Sequence, residues 1–105
     1  MAGTISFSAD TRWSSASWLF DWVLKTLAGK VSDPELAAEL SGIVDENVGW
    51  LGLDDLPSDQ RAKVRETIRE SLRTAAEQGL PPAMTGREDT MNHLDDLIRL
   101  ASDGS

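Results

Sequence analysis

Residues 59–78 show the pattern that most constrains how this chain can fold. Their apolar side chains recur every three or four positions, at Val64, Ile68, Leu72 and Ala75. That spacing places them on one face of a helix, and Pro57 and Ser58 before the segment and Gly79 after it are typical of helix ends. A helix with one apolar face must bury that face, so the rest of the chain has to supply its packing partners.

Three other segments repeat this helical spacing, at residues 14–28, 34–48 and 86–101. Residues that commonly cap a helix stand at their starts, namely Ser14 or Ser15, Ser32 or Asp33, and Thr85. Glycine and proline occupy the breaks between the segments, where a helix tends to stop. The sequence therefore predicts an all-α fold, a compact bundle of about four helices. Its length of 105 residues predicts one small domain, residues 1–105.

The N-terminus shows a different periodicity. Residues 4–8 (TISFS) alternate polar and apolar side chains, as a short strand does. Residues 48–53 (VGWLGL) are the segment with which that strand could form a hairpin. We therefore expect the bundle to carry at most a short N-terminal strand or hairpin. Residues 1–12 and the tail at residues 102–105 are expected to be less ordered than the helices.

Composition is that of an ordinary soluble protein. The hydrophobic fraction is 40% and the charged fraction 27%. Cysteine is absent, which excludes disulfides, thiolate metal sites and a cysteine nucleophile. No apolar run exceeds three residues, whereas a membrane span needs about 20, and the start of the sequence lacks the charged and apolar blocks of a signal peptide. These features predict a cytoplasmic protein that does not enter a membrane.

Charge is distributed unevenly along the chain. The net charge is −8, and residues 33–59, here termed the acidic segment, hold eight acids and no Lys or Arg. The acids are Asp33, Glu35, Glu39, Asp45, Glu46, Asp54, Asp55 and Asp59. Such a surface repels phosphate, which argues against nonspecific binding to nucleic acids or anionic membranes. It suits a basic protein partner instead.

Candidate catalytic and metal-binding groups are few. The only histidine, His93, lies at the edge of the apolar stripe of the fourth helix, with Asp89 one turn before it, and we favour a structural contact for it. Asp54, Asp55 and Asp59 cluster, but the ligand pattern of a calcium loop is missing. Adjacent carboxylates in a wet loop are also poor acid–base catalysts. The sequence predicts no enzyme and no bound cofactor or metal.

A basic row on the third helix raises a nucleic-acid alternative. Four arginines are spaced by four residues, at Arg61, Arg65, Arg69 and Arg73, so they lie along one side of the helix. Such a row can follow phosphates. It also suits arginines that border the apolar stripe and pair with nearby acids, which we favour. Two nucleic-acid alternatives remain: direct binding through residues 61–73, and mimicry of a duplex by the acidic segment.

The first helix has two apolar sides. One is a broad face formed by Ala16, Phe20, Val23, Leu24 and Leu27. On the opposite side, Trp18 and Trp22 stack one turn apart, next to Asp21 and Lys25. The helix is either covered on both sides, by the N-terminal segment or residues 48–53, or it presents an indole patch that docks a partner. The partner of such a patch includes a second copy of the chain, giving a homodimer.

These patterns together predict a noncatalytic protein–protein interaction module. A small adaptor, or an immunity- or antitoxin-like protein that binds a basic partner, matches the size and acidity of the chain. The predicted contacts lie on the tryptophan-bearing side of the first helix or on the acidic segment. Their residues are Trp18, Trp22, Asp21, Lys25, Trp50, Glu35, Glu39 and Glu46.

Overall fold

Strands as well as helices form in this chain, whose computed structural model describes residues 2–7, 11–81 and 83–103. The elements are, in chain order, β1 (Ala2–Ser6), β2 (Arg12–Ala16), α1 (Ser17–Lys30), α2 (Pro34–Asp45), β3 (Trp50–Gly52), α3 (Ser58–Gly79) and α4 (Arg87–Asp103). A single 3-10 turn, Leu53–Asp55, follows β3. The four predicted helices are confirmed, but the all-α prediction is incomplete, because a three-stranded sheet joins them.

The sheet is mixed, with strand order β2-β1-β3. β1 pairs antiparallel with β2, placing Ile5 opposite Trp13, and parallel with β3, placing Ile5 opposite Leu51. The strand predicted at residues 4–8 therefore lies at residues 2–6, and residues 48–53 do contain a partner strand for it. A hairpin between them is wrong, because parallel strands need a crossover connection. Here β2, α1 and α2 make that connection.

β2 was not predicted, and it shifts the start of the first helix. Pairing with β1 continues to Ala16, so α1 begins at Ser17 and not at Ser14 or Ser15. Trp13 is buried while its neighbours Arg12 and Ser14 are exposed, which is the period-two pattern of a strand. Burying Trp13 against the helices holds this segment extended despite its helix-capping serines.

One face of the sheet and one face of each helix share the core. On the sheet, Ile5, Trp13 and Leu51 form a buried cross-strand row. α1 packs against α2, α3 and the sheet, and α4 packs against α3 and β2. The buried helix residues are Leu19, Phe20, Val23, Leu24, Leu27, Leu36, Leu40, Val64, Ile68, Leu72, Ala76, Leu94, Leu97 and Ala101. Ala76 takes the buried position that the sequence assigned to Ala75.

Gly3 allows α1 to approach the sheet closely. A Cβ atom built on Gly3 would lie 2.1 Å from Phe20 Cγ, well inside van der Waals contact. Phe20 is itself buried, so its ring cannot move into solvent without exposing apolar surface. Any larger residue at position 3 would push α1 away from β1.

Asp33 defines the start of α2. Its Oδ1 accepts hydrogen bonds from the N–H groups of Glu35 (3.0 Å) and Leu36 (3.3 Å), so Asp33 and not Ser32 is the N-cap. Its Oδ2 lies 3.5 Å from Lys63 Nζ on α3. The Leu36 hydrogen bond above all lowers the pKa of Asp33; partial burial opposes this, and Glu35 N–H and the Lys63 charge add to it.

The end of α2 is set by backbone conformation. The helix stops at Asp45, three residues before the predicted end at residue 48. Asn47 and Gly49 adopt φ angles of 55° and 73°, which a right-handed helix does not accept. The bounds of α3 and α4 lie within two residues of those predicted.

Two further expectations concern the chain ends and the membrane. Residues 1, 8–10 and 104–105, which belong to the two segments expected to be less ordered, lie outside the described residues. α4 includes residues 102 and 103 of the predicted tail. In the part of the chain that the structure describes, no helix combines the length and the apolar character needed to cross a bilayer.

Candidate interaction surface

The face of the sheet opposite the core carries an accessible indole. Thr4 and Ser14 share a hydroxyl–hydroxyl hydrogen bond there (3.0 Å), and Trp50 stands next to Thr4 in the β1–β3 register. Arg12 reaches across from β2, with its guanidinium carbon 5.6 Å from the centroid of the Trp50 ring. Trp50 is nevertheless 41% exposed. A cation thus positions the indole without covering it.

Gly52 gives Trp50 and Asp55 a shared space. A Cβ atom built on Gly52 would lie 2.7 Å from Asp55 Oδ2 and 3.1 Å from Trp50 Nε1. The missing side chain therefore lets a carboxylate and an indole N–H lie close together over β3. This places a negative charge beside the most accessible aromatic group of the sheet.

α4 covers one edge of the sheet through His93. The Nε2–H of His93 donates to the carbonyl oxygen of Ser14 (2.5 Å), and Trp13 Nε1–H donates to the carbonyl oxygen of His93 (2.9 Å). The two rings stack with centroids 4.8 Å apart. A carbonyl only accepts, so the first contact requires the proton on Nε2. His93 thus makes a structural contact, the kind favoured from the sequence.

The other edge of the sheet is β3, beyond which the described residues form no strand. The Thr4 N–H donates to the Gly49 carbonyl oxygen (3.0 Å). Main-chain groups of successive residues in a strand point to opposite sides, so Gly49 and Leu51 face β1 while Trp50 faces outward. Within the described residues, no hydrogen bond to the Trp50 N–H or C=O crosses this outer edge. The main-chain groups of Trp50 on this edge therefore have no hydrogen-bond partner in the described chain.

The acidic segment is largely exposed and unpaired. Asp33 is the exception, because it caps α2 and contacts Lys63. The other seven carboxylates are exposed, and none forms an ion pair with a described residue. They are Glu35, Glu39, Asp45, Glu46, Asp54, Asp55 and Asp59. The folded chain therefore neutralises little of the charge in this segment.

The carboxylates on α2 and at its end belong to the segment that continues along the chain into β3. Glu35, Glu39 and Glu46 line a shallow depression on the outer side of α2. After Glu46, the Val48 N–H donates to a carbonyl oxygen of α2 (3.1 Å) and turns the chain toward Trp50. Val48 is 52% exposed. Four of the predicted contact residues thus lie on one continuous stretch of α2, turn and β3.

The two tryptophans of α1 have different surroundings. Trp18 is 50% exposed. Trp22 is half-buried and packs against the core. A Cβ atom built on Gly79, at the end of α3, would lie 3.5 Å from the Trp22 ring. Asp21 is half-buried and Lys25 is exposed. The predicted pair is therefore one accessible indole and one that the end of α3 partly covers.

The first two arginines of the α3 row make contacts within the chain. Arg61 donates to the carbonyl oxygens of Leu53 (3.1 Å) and Leu56 (3.2 Å), at the turn before α3. Arg65 lies over the ring of Phe7, with 5.2 Å between its guanidinium carbon and the ring centroid. The Arg65 contact links α3 to Phe7, just after β1, and the Arg61 hydrogen bonds link α3 to the turn that precedes it.

The last arginine of the row joins two helices. Arg73 contacts Asp95 on α4 (2.5 Å) and Glu77 on its own helix (3.3 Å). The hydrogen bond to Asp95 is the main reason that the pKa of Arg73 lies above its usual value. Pairing with a neighbouring helix, favoured from the sequence, thus occurs between α3 and α4. Arg69 is exposed.

The sequence predicts Trp50 as a contact residue but not the neighbours that position it. Arg12 was missed because its segment resembles a helix start, and RWSSA does not alternate polar and apolar side chains as a half-buried strand does. The sequence predicts Asp55 as one acid of the acidic segment and as a candidate ligand or acid–base group, but not as a neighbour of Trp50. Among the described residues, no group of three or more His, Cys, Asp or Glu converges as a metal site would.

No protein-family model matches this chain, and no curated protein or solved structure is significantly similar to it. Functional inference therefore rests on the surfaces described above. Two of them differ in character: an acidic one running from α2 to β3, and a single exposed indole on α1.

Proposed function

We propose that this protein is a noncatalytic interaction module that binds a basic protein partner through α2, the following turn and β3. The observation that supports this proposal is the set of seven exposed carboxylates without an ion pair in the described chain. Like charges on one surface repel each other and reduce the stability of the compact state. A basic partner neutralises these charges, so binding relieves the repulsion between them.

Trp50 supplies the apolar contact that charge alone does not provide. Surface charges chiefly raise association rate and specificity, whereas a buried tryptophan often accounts for much of the binding energy. Arg12 already holds the Trp50 indole, so little side-chain freedom is lost when a partner covers it. A small adaptor, or an immunity- or antitoxin-like protein, would use a surface of this kind.

Trp18 offers a second contact, but its surroundings do not favour the same partner. Asp21 and Lys25, which flank it on α1, carry opposite charges, so that side of the helix has no net preference for a basic protein. A homodimer through Trp18 stays a separate proposal, tested by the mass of the protein in solution. Trp18 is also a suitable comparison residue for experiments on Trp50.

Charge reversal on α2 tests the proposed function. The variant Glu35→Lys/Glu39→Lys/Glu46→Lys is compared with Glu66→Lys/Glu70→Lys/Glu88→Lys, which changes the net charge equally on exposed positions of α3 and α4. A basic partner is identified by affinity capture and purified, and its Kd is measured at low and physiological salt. We expect the α2 variant to bind at least about tenfold more weakly, a loss of about 1.4 kcal/mol.

The control variant should bind within about twofold of the wild type, and wild-type affinity should fall as salt rises, because the charges lie at the surface. Equal losses for the two variants would show that only net charge matters. A partner that binds the α2 variant as tightly as the wild type would contradict the proposal.

Duplex mimicry is the second candidate, and it uses the same carboxylates. Direct nucleic-acid binding loses support, because Arg61, Arg65 and Arg73 make contacts within the chain. If this chain mimics a duplex, its partner is a nucleic-acid-binding protein, and DNA or RNA should displace this chain from that partner. Competition by a duplex for the purified partner would favour mimicry, and simultaneous binding of all three would exclude it.

A further inference from the structure

We propose that the partner adds an extended, basic segment to the sheet as a fourth strand beside β3. This inference rests on the proposed function and specifies how binding occurs. It begins with the main chain, since the Trp50 N–H and C=O point away from β1 and have no partner in the described chain. An edge with free groups of this kind is where extended peptides extend a sheet.

The two edges of the sheet differ in protection. Proteins commonly cover an edge strand or place Lys or Pro along it to prevent pairing with other chains. β2 is covered by α4, with His93 bonded to Ser14. β3 and its flanks contain neither Lys nor Pro from residue 45 to residue 56, and its sequence WLG carries an exposed indole. The short length of β3 and the carboxylates that flank it limit pairing with other chains there.

Side chains beside β3 select for positive charge. In an added strand, every second side chain would stand on the face that holds Trp50, next to the indole. A Lys or Arg at that position meets the carboxylate of Asp55, which shares the space over Gly52 with Trp50, and its apolar stem lies against the exposed part of the indole. Because β3 has only three residues, these contacts must supply most of the selectivity.

A second copy of this chain is a poor occupant of the edge. Asp45 and Glu46 precede β3, and Asp54 and Asp55 follow it, all exposed and unpaired within the described chain. Pairing β3 with β3 would bring these carboxylates together and cost free energy through repulsion. A basic segment is complementary to all of them.

Peptide selection tests this inference on the full chain. Short random peptides displayed on phage are panned against the folded protein, and selected peptides are synthesised for Kd measurement. We expect Lys or Arg at alternate positions. Methylating alternate backbone nitrogens in one register should weaken binding about tenfold or more, while methylating the other register leaves it within about twofold, because a strand donates to each side with alternate N–H groups.

Two protein variants complete the experiment. Trp50→Ala should weaken the best peptide about tenfold, and Trp18→Ala should leave its affinity unchanged. Three results would overturn strand addition while leaving the proposed function standing. The selected basic peptides could tolerate methylation in both registers, they could space their charges as a helix does, or they could bind Trp50→Ala as tightly as the wild type. Selection without any basic preference would contradict both.

Discussion

Trp13 and Trp50 stand on opposite faces of one sheet, and the sheet assigns them different roles. Trp13 is 3% exposed, stacks on His93 and donates to its carbonyl oxygen. Trp50 is 41% exposed, and its ring faces the guanidinium of Arg12. The two are offset by one position in the register, since Ile5 pairs with Trp13 and Thr4 with Trp50.

That offset explains the difference, because side chains alternate between the faces of a strand. The face with Trp13 is closed by helices that the same chain provides. On the other face, Arg12, Ser14 and Trp50 are exposed, and the nearby carboxylates of the acidic segment, apart from Asp33, form no ion pair within the described chain. Residue type therefore predicts neither role; position in the sheet decides it.

The largest expected effect is on Trp13. Replacing it with alanine removes a buried aromatic side chain and a hydrogen bond, so Trp13→Ala should lower the free energy of unfolding by about 3–5 kcal/mol. Trp50→Ala should change it by less than about 0.5 kcal/mol, as for other surface positions. Urea titration followed by circular dichroism measures both. Similar losses for the two variants would show that the fold depends on both faces.

A second contrast concerns two glycines. Gly3→Ala forces a methyl group against Phe20 and should cost about 1–3 kcal/mol through overpacking. Gly42→Ala, in α2 with no atom within 4 Å of the new Cβ, should instead stabilise by up to about 1 kcal/mol. Thermal unfolding compares them. An unchanged melting temperature for Gly3→Ala would mean that α1 does not lie as close to β1 as described.

The covered edge of the sheet should respond to His93. The variant His93→Phe keeps a ring for stacking on Trp13 but loses the donor to the Ser14 carbonyl oxygen. We expect a loss of about 1 kcal/mol in unfolding free energy, the usual contribution of one hydrogen bond. Faster amide exchange of β2 should accompany it, with β3 unaffected. Equal acceleration in both strands would show that His93 supports the whole sheet and not one edge.

The smallest effect is the pH dependence contributed by Asp33. Its folded-state pKa lies below the ordinary value of 3.8, so its charge stabilises the fold fully above that value. This contribution is lost as pH falls through the folded-state pKa. Asp33→Asn keeps a capping oxygen but no charge, so its melting temperature should be slightly lower than that of the wild type at neutral pH. The difference in melting temperature should shrink below about pH 3.8. A difference that stays constant with pH would contradict the lowered pKa of Asp33.

The sequence predicts the helices well because each carries its own periodicity and end signals. α3 is the clearest case, with Val64, Ile68 and Leu72 all buried as predicted. It predicts the sheet poorly because pairing is nonlocal. Nothing within RWSSA reveals that β1 and α4 will cover Trp13, and its serines also suit a helix start.

The candidate surface was predictable only in part. Charge counting identified the acidic segment, and the fold leaves seven of its carboxylates exposed. Helical spacing places Trp18 and Trp22 on the same side of α1. Their burial differs because it depends on the neighbouring elements, and among the contacts described the end of α3 touches only Trp22. The cluster of Arg12, Trp50 and Asp55 depends on the strand order, which brings Arg12 of β2 beside a segment far along the chain.

The decisive measurement is the affinity of Trp50→Ala for the purified basic partner, taken together with its free energy of unfolding. If Trp50 serves binding and not folding, Kd should rise about tenfold or more while the unfolding free energy stays within about 0.5 kcal/mol of the wild type. An unchanged Kd, or an unfolding loss as large as that of Trp13→Ala, would contradict the division of the sheet into a folding face and a binding face.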